Sequence, residues 1–342
     1  MIKTAVVILN WNGIGFLKMF LENTVSCTKD QDTIIYIADN GSTDGSVKWV
    51  EENFNSVVVM RLGKNNGFAG GYSIALERIE ADYFVLLNSD IEVTRGWLSP
   101  LINFLEKNLS YASCQPKILS YSRKEYFEYA GAAGGFIDRS GYPLCRGRIL
   151  NHVEKDEGQY NDPIDIFWST GACMAVRSEV WKKCGGFDPD FFAHMEEIDL
   201  CWRFHSSGYK VAYVPDSAVF HVGGGALPYD SPFKTFLNFR NNLYLLYKNL
   251  PEKNLRRKLF ERKVLDVIAA LFFLSKGQFK SVNAVWKAHR DFYRNLKSLK
   301  EKRKLASSPL TVTNFPGLIL NKNIVFEFYL KRHRTFSSLK TN

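Results

Sequence analysis

Four apolar runs alternate with three helix-like stretches inside the first 90 residues, and that alternation leaves few folds open. TAVVILN (4–10), TIIYIADN (33–40), SVVVMRL (56–62) and YFVLLNSD (83–90) are rich in β-branched or aromatic residues and run out into polar ones. Between them GFLKMFLENTVSC, GSVKWVEENF and GGYSIALERIE carry apolar residues at helical spacing. Strands joined by helices predict an α/β fold: a mostly parallel sheet with helices on both faces. Ligands of such sheets gather outside the carboxyl ends of the strands. The fourth run is apolar enough to be covered on both faces, yet it ends in Asn88, Ser89 and Asp90. Alone, that tripeptide suits a turn or a helix cap as well as a binding group.

The strand ends also exclude two nucleotide chemistries. After the first run stands Gly13-Ile14-Gly15 with no third glycine, so the dinucleotide fingerprint of a dehydrogenase is missing. The chain has no Gly-x-x-x-x-Gly-Lys-Ser/Thr phosphate cradle either. Asp39 instead sits at the tip of the second run, ahead of Asn40-Gly41, where its carboxylate can accept a hydrogen bond from a ring N–H such as that of a pyrimidine. Turn and cap roles compete with this reading, and Asp44 is taken as a cap.

Length and charge divide the chain. With 342 residues and 46% hydrophobic content it can bury a large core. Its six cysteines form no Cys-x-x-Cys pair and the amino terminus lacks the build of a signal peptide, which points to a reducing cytosol. Residues 1–230 carry 21 Lys and Arg against 29 Asp and Glu, a net of −8, whereas residues 231–342 carry 24 against 6, a net of +18. A boundary is therefore expected between Pro228 and Pro232, separating a catalytic domain (1–230) from a basic helical region (231–342).

That basic region admits two readings. VLDVIAALFFLS (264–275) has 12 residues and contains Asp266, which is short of the ~20 apolar residues of a membrane span. Val282, Val285, Trp286, His289, Tyr293 and Leu296 recur at helical spacing among Lys287, Arg290, Arg294, Lys297, Lys300, Lys302, Arg303 and Lys304. Such a helix either lies on an anionic membrane or packs on the catalytic domain with a solvated basic face.

In their order along the chain, VVILNWNG, IADNGSTDGS, NNGFAGG, LLNSD, STGACMAVR, GGFDPDFFAHMEEIDLCWRFHSSGYKVAYVP and AVFHVGG resemble family 2 glycosyltransferases, especially the bacterial rhamnosyltransferase-like branch. The resemblance covers residues 3 to about 225. It implies a GT-A fold, inverting transfer from a nucleoside-diphosphate sugar, and a divalent cation, Mg2+ or Mn2+. Carried onto this sequence, it makes Asp39 the base-recognition carboxylate, with Asn10, Trp11 and Asn12 in the same nucleotide pocket. The loop from Asn65 to Gly71, with Asn66 and Gly67, is a second nucleotide contact, and Ser89 a third. Asn88-Ser89-Asp90 takes the place of the family's Asp-x-Asp motif, so Asp90 is the metal carboxylate and His221 lies beside the metal and diphosphate. STGACMAVR is placed near donor sugar and acceptor, with ordinary close packing as the competing account.

HMEEIDLCWRF supplies the catalytic candidates Glu196, Glu197 and Asp199. The resemblance puts the base on Glu197, whose task is to take the proton of the attacking acceptor hydroxyl. A neighbouring carboxylate would raise its proton affinity. An acidic helix start favoured by the helix dipole is the alternative, and Asp199 is also spaced to pair with Arg203 on one helix face.

The expected partners are a nucleoside-diphosphate sugar, with dTDP-rhamnose the first donor to try, and a glycan or lipid-linked acceptor in cell-surface polysaccharide synthesis. The expected location is the cytoplasm, with peripheral contact at the inner face of the membrane. A sugar nucleotidyltransferase and a nucleic-acid-binding protein are the alternatives. NWNGIGFLK lacks the signature of the first, and the acidic first half with no nucleic-acid motif argues against the second, so no nucleic acid is expected.

Overall fold

The computed structural model describes residues 2–28, 32–223, 231–306 and 315–339. The elements run β1 (Ile2–Asn10), α1 (Ile14–Cys27), β2 (Thr33–Asp39), α2 (Ser46–Asn53), β3 (Val57–Arg61), α3 (Gly67–Glu77), β4 (Ala81–Asn88), β5 (Ile91–Val93), α4 (Leu98–Lys107) and β6 (Tyr111–Ser120). Short strands follow: β7 (Gly135–Asp138), β8 (Pro143–Cys145), β9 (Arg148–Ile149), β10 (His152–Val153) and β11 (Ile164–Asp165). Then come β12 (Cys173–Arg177), α5 (Ser178–Lys183), a 3-10 turn (Pro189–Phe191), α6 (Glu196–Ser206) and β13 (Lys210–His221). The remainder is α7 (Pro232–Asn249), α8 (Glu252–Ser275), α9 (Phe279–Arg294), α10 (Leu296–Ala306), β14 (Ile319–Leu320), α11 (Ile324–Tyr329) and α12 (Phe336–Leu339).

The four expected strands and three expected helices form, and β1 pairs in parallel with both β2 and β4, while β3 extends β2. The main sheet has the order β11-β13-β6-β12-β4-β1-β2-β3, with β5 on β13. β12 enters antiparallel between β4 and β6, so the sheet is mixed. Alternation along β1 divides the core: Ala5 and Val7 join the layer holding Tyr72, Ala75 and Leu76 of α3. Val6 and Ile8 join the layer holding Leu17 and Leu21 of α1 and Leu101 of α4. A fully buried sheet covered on both faces is the reason its strands read as continuous apolar runs.

A second sheet, β10-β9-β8-β7-β14, is built from strands of two to four residues, too short for any periodicity to announce. Its last strand comes from the basic region, and Leu243, Phe292, Phe315, Ile324 and Phe336 share one core with Ala5 and Phe84. Residues on the two sides of the expected boundary thus pack together, and residues 228–230 of that boundary lie outside the described residues.

α9 packs rather than lies free. Its Val285, Ala288 and Phe292 are buried, Phe292 against Tyr244 and Tyr247 of α7, and His289 meets Asp266 of α8 at 2.9 Å. Of the stripe read from sequence, Val285 is thus buried against the neighbouring helices, while Trp286 and Tyr293 remain more than half exposed. Among the described residues no helix is long and apolar enough to cross a membrane.

Candidate active site

The carboxyl ends of β1, β2 and β4 lie side by side, with Asn10 opposite Asp39 and Leu9 opposite Asn88. Asn10 is fully buried; its amide donates to Ser46 Oγ (2.8 Å), Ser42 Oγ (3.0 Å) and Asp39 Oδ1 (3.4 Å). Its Oδ1 has no partner among the described residues. The Asp39 carboxylate accepts from the backbone N–H groups of Gly41 and Ser42 at 3.2 to 3.3 Å, which fixes its orientation. Asn12, at φ +51°, ties the first loop to the second: its N–H donates to Ser42 Oγ and its Oδ1 accepts from Thr43 N. Trp11 is 49% exposed at the rim. Asp44 accepts from Ile14 N and Ser46 N at the starts of α1 and α2, the cap role read from sequence.

Asn40 ties in the loop that starts at Asn65: its Oδ1 accepts from Asn66 N at 3.0 Å and its Nδ2 donates to the Gly67 carbonyl at 3.0 Å. From Gly67 onward the expected loop is already the first turn of α3. Gly67 takes φ +72°, and a Cβ there would meet the Phe192 ring at 2.5 Å. With Ala69 N donating to Phe192 O at 3.0 Å, the start of α3 touches the segment that leads into α6.

Asp90 faces His221 across the junction of β5 and β13: Nε2 lies 3.1 Å from Asp90 Oδ1, and Nδ1 lies 3.0 Å from Glu128 Oε2. All three side chains are buried. Burial opposes a charged imidazole, but Glu128 and Asp90 outweigh it and push His221 up to about 10. The same pairing lowers both carboxyls against the effect of burial. Two buried carboxylates here favour positive charge between them, which a protonated His221 would supply. A divalent cation held by Asp90 and His221 would meet the same demand, with Glu128 orienting the ring through its other nitrogen. Among the described residues no group of three such side chains converges on one point, so any ion would take its remaining ligands from phosphate and water. The donor set therefore fits a cation shared with a diphosphate.

Phe192, His194 and Met195 all take positive φ, between +63° and +72°. Non-glycine residues in that region cost on the order of 1–3 kcal/mol each and persist only when surroundings impose them. Here α7 imposes them: Asn241 Nδ2 donates to Phe191 O (2.9 Å), Ala193 O (2.8 Å) and His194 O (2.7 Å). Arg240 adds bonds to Asp190 O and Phe191 O. This strained segment delivers Glu196 and Glu197 at the first turn of α6, each with a buried Oε2 that has no hydrogen-bond partner among the described residues. Burial, together with the neighbouring Glu197 charge, raises Glu196 well above the usual range, and burial pushes Glu197 up to about 7. Two adjacent carboxyls with separated proton affinities are suited to hold and to take a proton.

Asp199 does not belong with them. It is fully buried, and its oxygens accept from Arg203, from Lys248 Nζ (3.0 Å) and from Asn249 Nδ2 (2.8 Å). With both oxygens engaged, Oδ2 by Arg203 and Lys248 and Oδ1 by Asn249, it anchors α6 to α7. Asp188 beside it binds Lys248 (2.6 Å) and Lys302.

The remaining candidates fall around the same cleft. Ser89 Oγ would be 3.6 Å from a Cβ placed on Gly13, beside Asn10. The STGACMAVR stretch divides: residues 173–177 are β12, inside the sheet, while the Ala172 carbonyl accepts from Asn88 N at 2.9 Å and Ser169 Oγ lies 3.7 Å from Cys201 on α6. Gly224 of AVFHVGG lies outside the described residues. Sequence reading missed Glu128, Asn241 and Lys248, because each meets the site only through long-range contacts and sits in no recognisable spacing.

The family model described as Glycosyl transferase family 2 matches residues 5–185. The chain is 24% identical over 249 residues to the N-acetylglucosaminyl-diphospho-decaprenol L-rhamnosyltransferase of Mycobacterium tuberculosis, covering 63% of this chain and 75% of that protein. It is 25% identical over 272 residues to the rhamnosyltransferase WbbL of Escherichia coli, covering 78% and 98%. Two solved structures share the fold. S. aureus TarS 1-349 in complex with UDP-GlcNAc has a TM-score of 0.55 at 14% identity, covering 90% of this chain and 91% of that one. GalNAc-T7 with UDP, GalNAc and Mn2+ has a TM-score of 0.59 at 17% identity; the match covers 87% of this chain but 58% of that one.

Proposed function

The chain belongs to glycosyl transferase family 2 and is a glycosyltransferase with a GT-A fold, and from that premise we propose that it moves a sugar, with inversion, from a nucleoside diphosphate to a hydroxyl of a glycan or lipid-linked acceptor. The observation that carries the reading is the pair of buried, unpartnered carboxyl oxygens on Glu196 and Glu197, delivered by a segment in backbone contact with the nucleotide loop. Family membership supports sugar transfer over the nucleotidyltransferase alternative.

In this mechanism Asp39, held by the Gly41 and Ser42 amides, accepts from the base of the donor, and Asn10 offers its free amide oxygen beside it. Glu197, ionised, takes the proton of the acceptor hydroxyl as that oxygen attacks the anomeric carbon. The bond from that carbon to the diphosphate breaks on the opposite side, and its electron pair leaves with the nucleoside diphosphate. Glu196 keeps its proton, so the pair carries a single charge. Asp90 and His221 would hold a magnesium or manganese ion, whose charge offsets that of the departing diphosphate. The two rhamnosyltransferase relatives support dTDP-rhamnose as donor, and the decaprenol-linked substrate in one relative's name supports a lipid-linked acceptor at the inner face of the membrane. Residues 231–342 would then brace the catalytic half and face that acceptor.

The test is release of free nucleoside diphosphate from a panel of dTDP-, UDP- and GDP-sugars, with magnesium or manganese and then with chelator. A single metal-dependent donor is expected, with activity lost in Asp90→Ala and in Glu197→Gln while both variants stay folded. Full turnover by Glu197→Gln would remove it as the base, and no thermal-shift response to any nucleotide sugar would remove the donor site.

A further inference from the structure

α8 is built inside out. Beyond the buried Leu255 and Leu259 of its start, its inward face carries an ion pair, with Arg262 Nε 2.7 Å from Asp266 Oδ1, His289 on the other Asp266 oxygen, and the Arg262 guanidinium over Tyr142 and Phe239. Its outward face carries Phe260, Val264, Val267, Ile268, Leu271 and Phe272, each between 43% and 68% exposed. The spacing of four, three, one, three and one residues keeps these side chains on one stripe of the helix. A contiguous exposed aliphatic stripe of this kind marks a docking surface, since solvated helices place such residues inward. From residue 260 onward the two buried side chains of the helix are the charged Arg262 and Asp266, while the apolar stripe faces out.

The choice of occupant follows from charge. Arg256 and Arg257 are exposed at one end of the stripe, Lys276 and Lys280 at the other, and the region from residue 231 has a net charge of +18. A second copy would bring the same cationic surface against itself. A bilayer with anionic headgroups offers an apolar layer to the stripe and negative charge to its basic ends. The helix is about 36 Å long at 1.5 Å per residue, which suits lying along a surface, and it does not meet the requirements of a span.

We propose that α8 is the membrane-docking element of this protein, inserting its Phe260–Phe272 stripe into the interface of an anionic bilayer. This deepens the reading of a lipid-linked acceptor and rests on it for its purpose, since docking would hold the cleft beside a substrate confined to the same bilayer.

The experiment is cosedimentation of the full chain with phosphatidylcholine vesicles and with vesicles containing one third phosphatidylglycerol, for wild type and for Ile268→Glu/Leu271→Glu. Both substituted side chains are more than half exposed, so folding should be unaffected, and melting temperature checks this. Wild type should bind the anionic vesicles at least ten-fold more tightly than the neutral ones, and the double variant should lose at least ten-fold. Donor hydrolysis measured without vesicles should be equal in the two proteins, so a failure of docking is distinguished from a failure of the catalytic reading. Absent binding, or binding that the double variant retains, overturns the proposal. So does a wild-type dimer in sedimentation velocity that the variant converts to monomer, which would make the stripe an interface between copies.

Discussion

At the scale of single residues, the site turns on two carboxyls that sequence alone could only rank. Glu196 and Glu197 stood out as adjacent acids at a helix start, a position that the helix dipole also favours in ordinary surface helices. Burial decides between the accounts, because a solvated acidic cap would not be left with unpartnered oxygens. With Glu197 pushed up to about 7, the ionised base accumulates as pH rises through that value. The transfer rate at saturating donor should therefore climb through about pH 7 and level off above pH 8. A rate already flat from pH 5.5 would mean that Glu197 does not act as the base. Asp199 shows the opposite case: the spacing to Arg203 was legible, but Lys248 and Asn249, which complete its coordination, come from a distant helix. Glu128 gave no sequence signal at all, since only the fold carries it to the far side of His221.

At the scale of elements, boundaries and types were largely readable, and the exceptions have a physical cause. β1 to β4 and α1 to α3 followed their periodicity because each is long enough to show it. The strands β7 to β11 are two to four residues long, and what fixes them is pairing together with long-range burial of side chains such as Phe136, Leu144 and Ile149. The segment from Phe192 to Met195 contains no glycine, yet Phe192, His194 and Met195 take positive φ because Asn241 gathers three carbonyls onto one amide. On the proposed mechanism Asn241 is thus a positioning residue for Glu197. Asn241→Ala removes the two N–H donors that these three carbonyls share, each worth about 1 kcal/mol. Misplacing the base should lower kcat on the order of 10- to 100-fold, with the KM for donor little changed. A lower melting temperature with kcat intact would leave Asn241 a purely structural role.

At the scale of the whole molecule, the two electrostatic halves are clamped by charge. Asp188 and Asp199, from the acidic half, grip Lys248 and Lys302, from the basic one. Burial works against the charged carboxyl of Asp188, but the two lysines prevail and hold it well below its ordinary 3.8. Its contribution to stability is therefore complete above that value and drains away as pH falls below it. The melting temperature should drop steeply below about pH 4. In Lys248→Met the clamp is already broken, so the drop should be shallower and the starting value at pH 7 lower, by about 3–5 kcal/mol of stability. An unchanged acid limb in the variant would show that other carboxylates govern acid unfolding.

By itself the sequence determined the doubly covered sheet, the placement of Asn10, Asp39 and Asn88 at its strand ends, and the charge division of the chain, because hydrophobic period and composition are local properties. Only the tertiary structure decided which acid is anchored and which is left unpartnered. The same holds for the packing of α9, whose Phe292 is covered by α7, and for α8, whose stripe is left bare. Burial and ion pairing are set by residues far apart in the chain, and no window of sequence contains both partners.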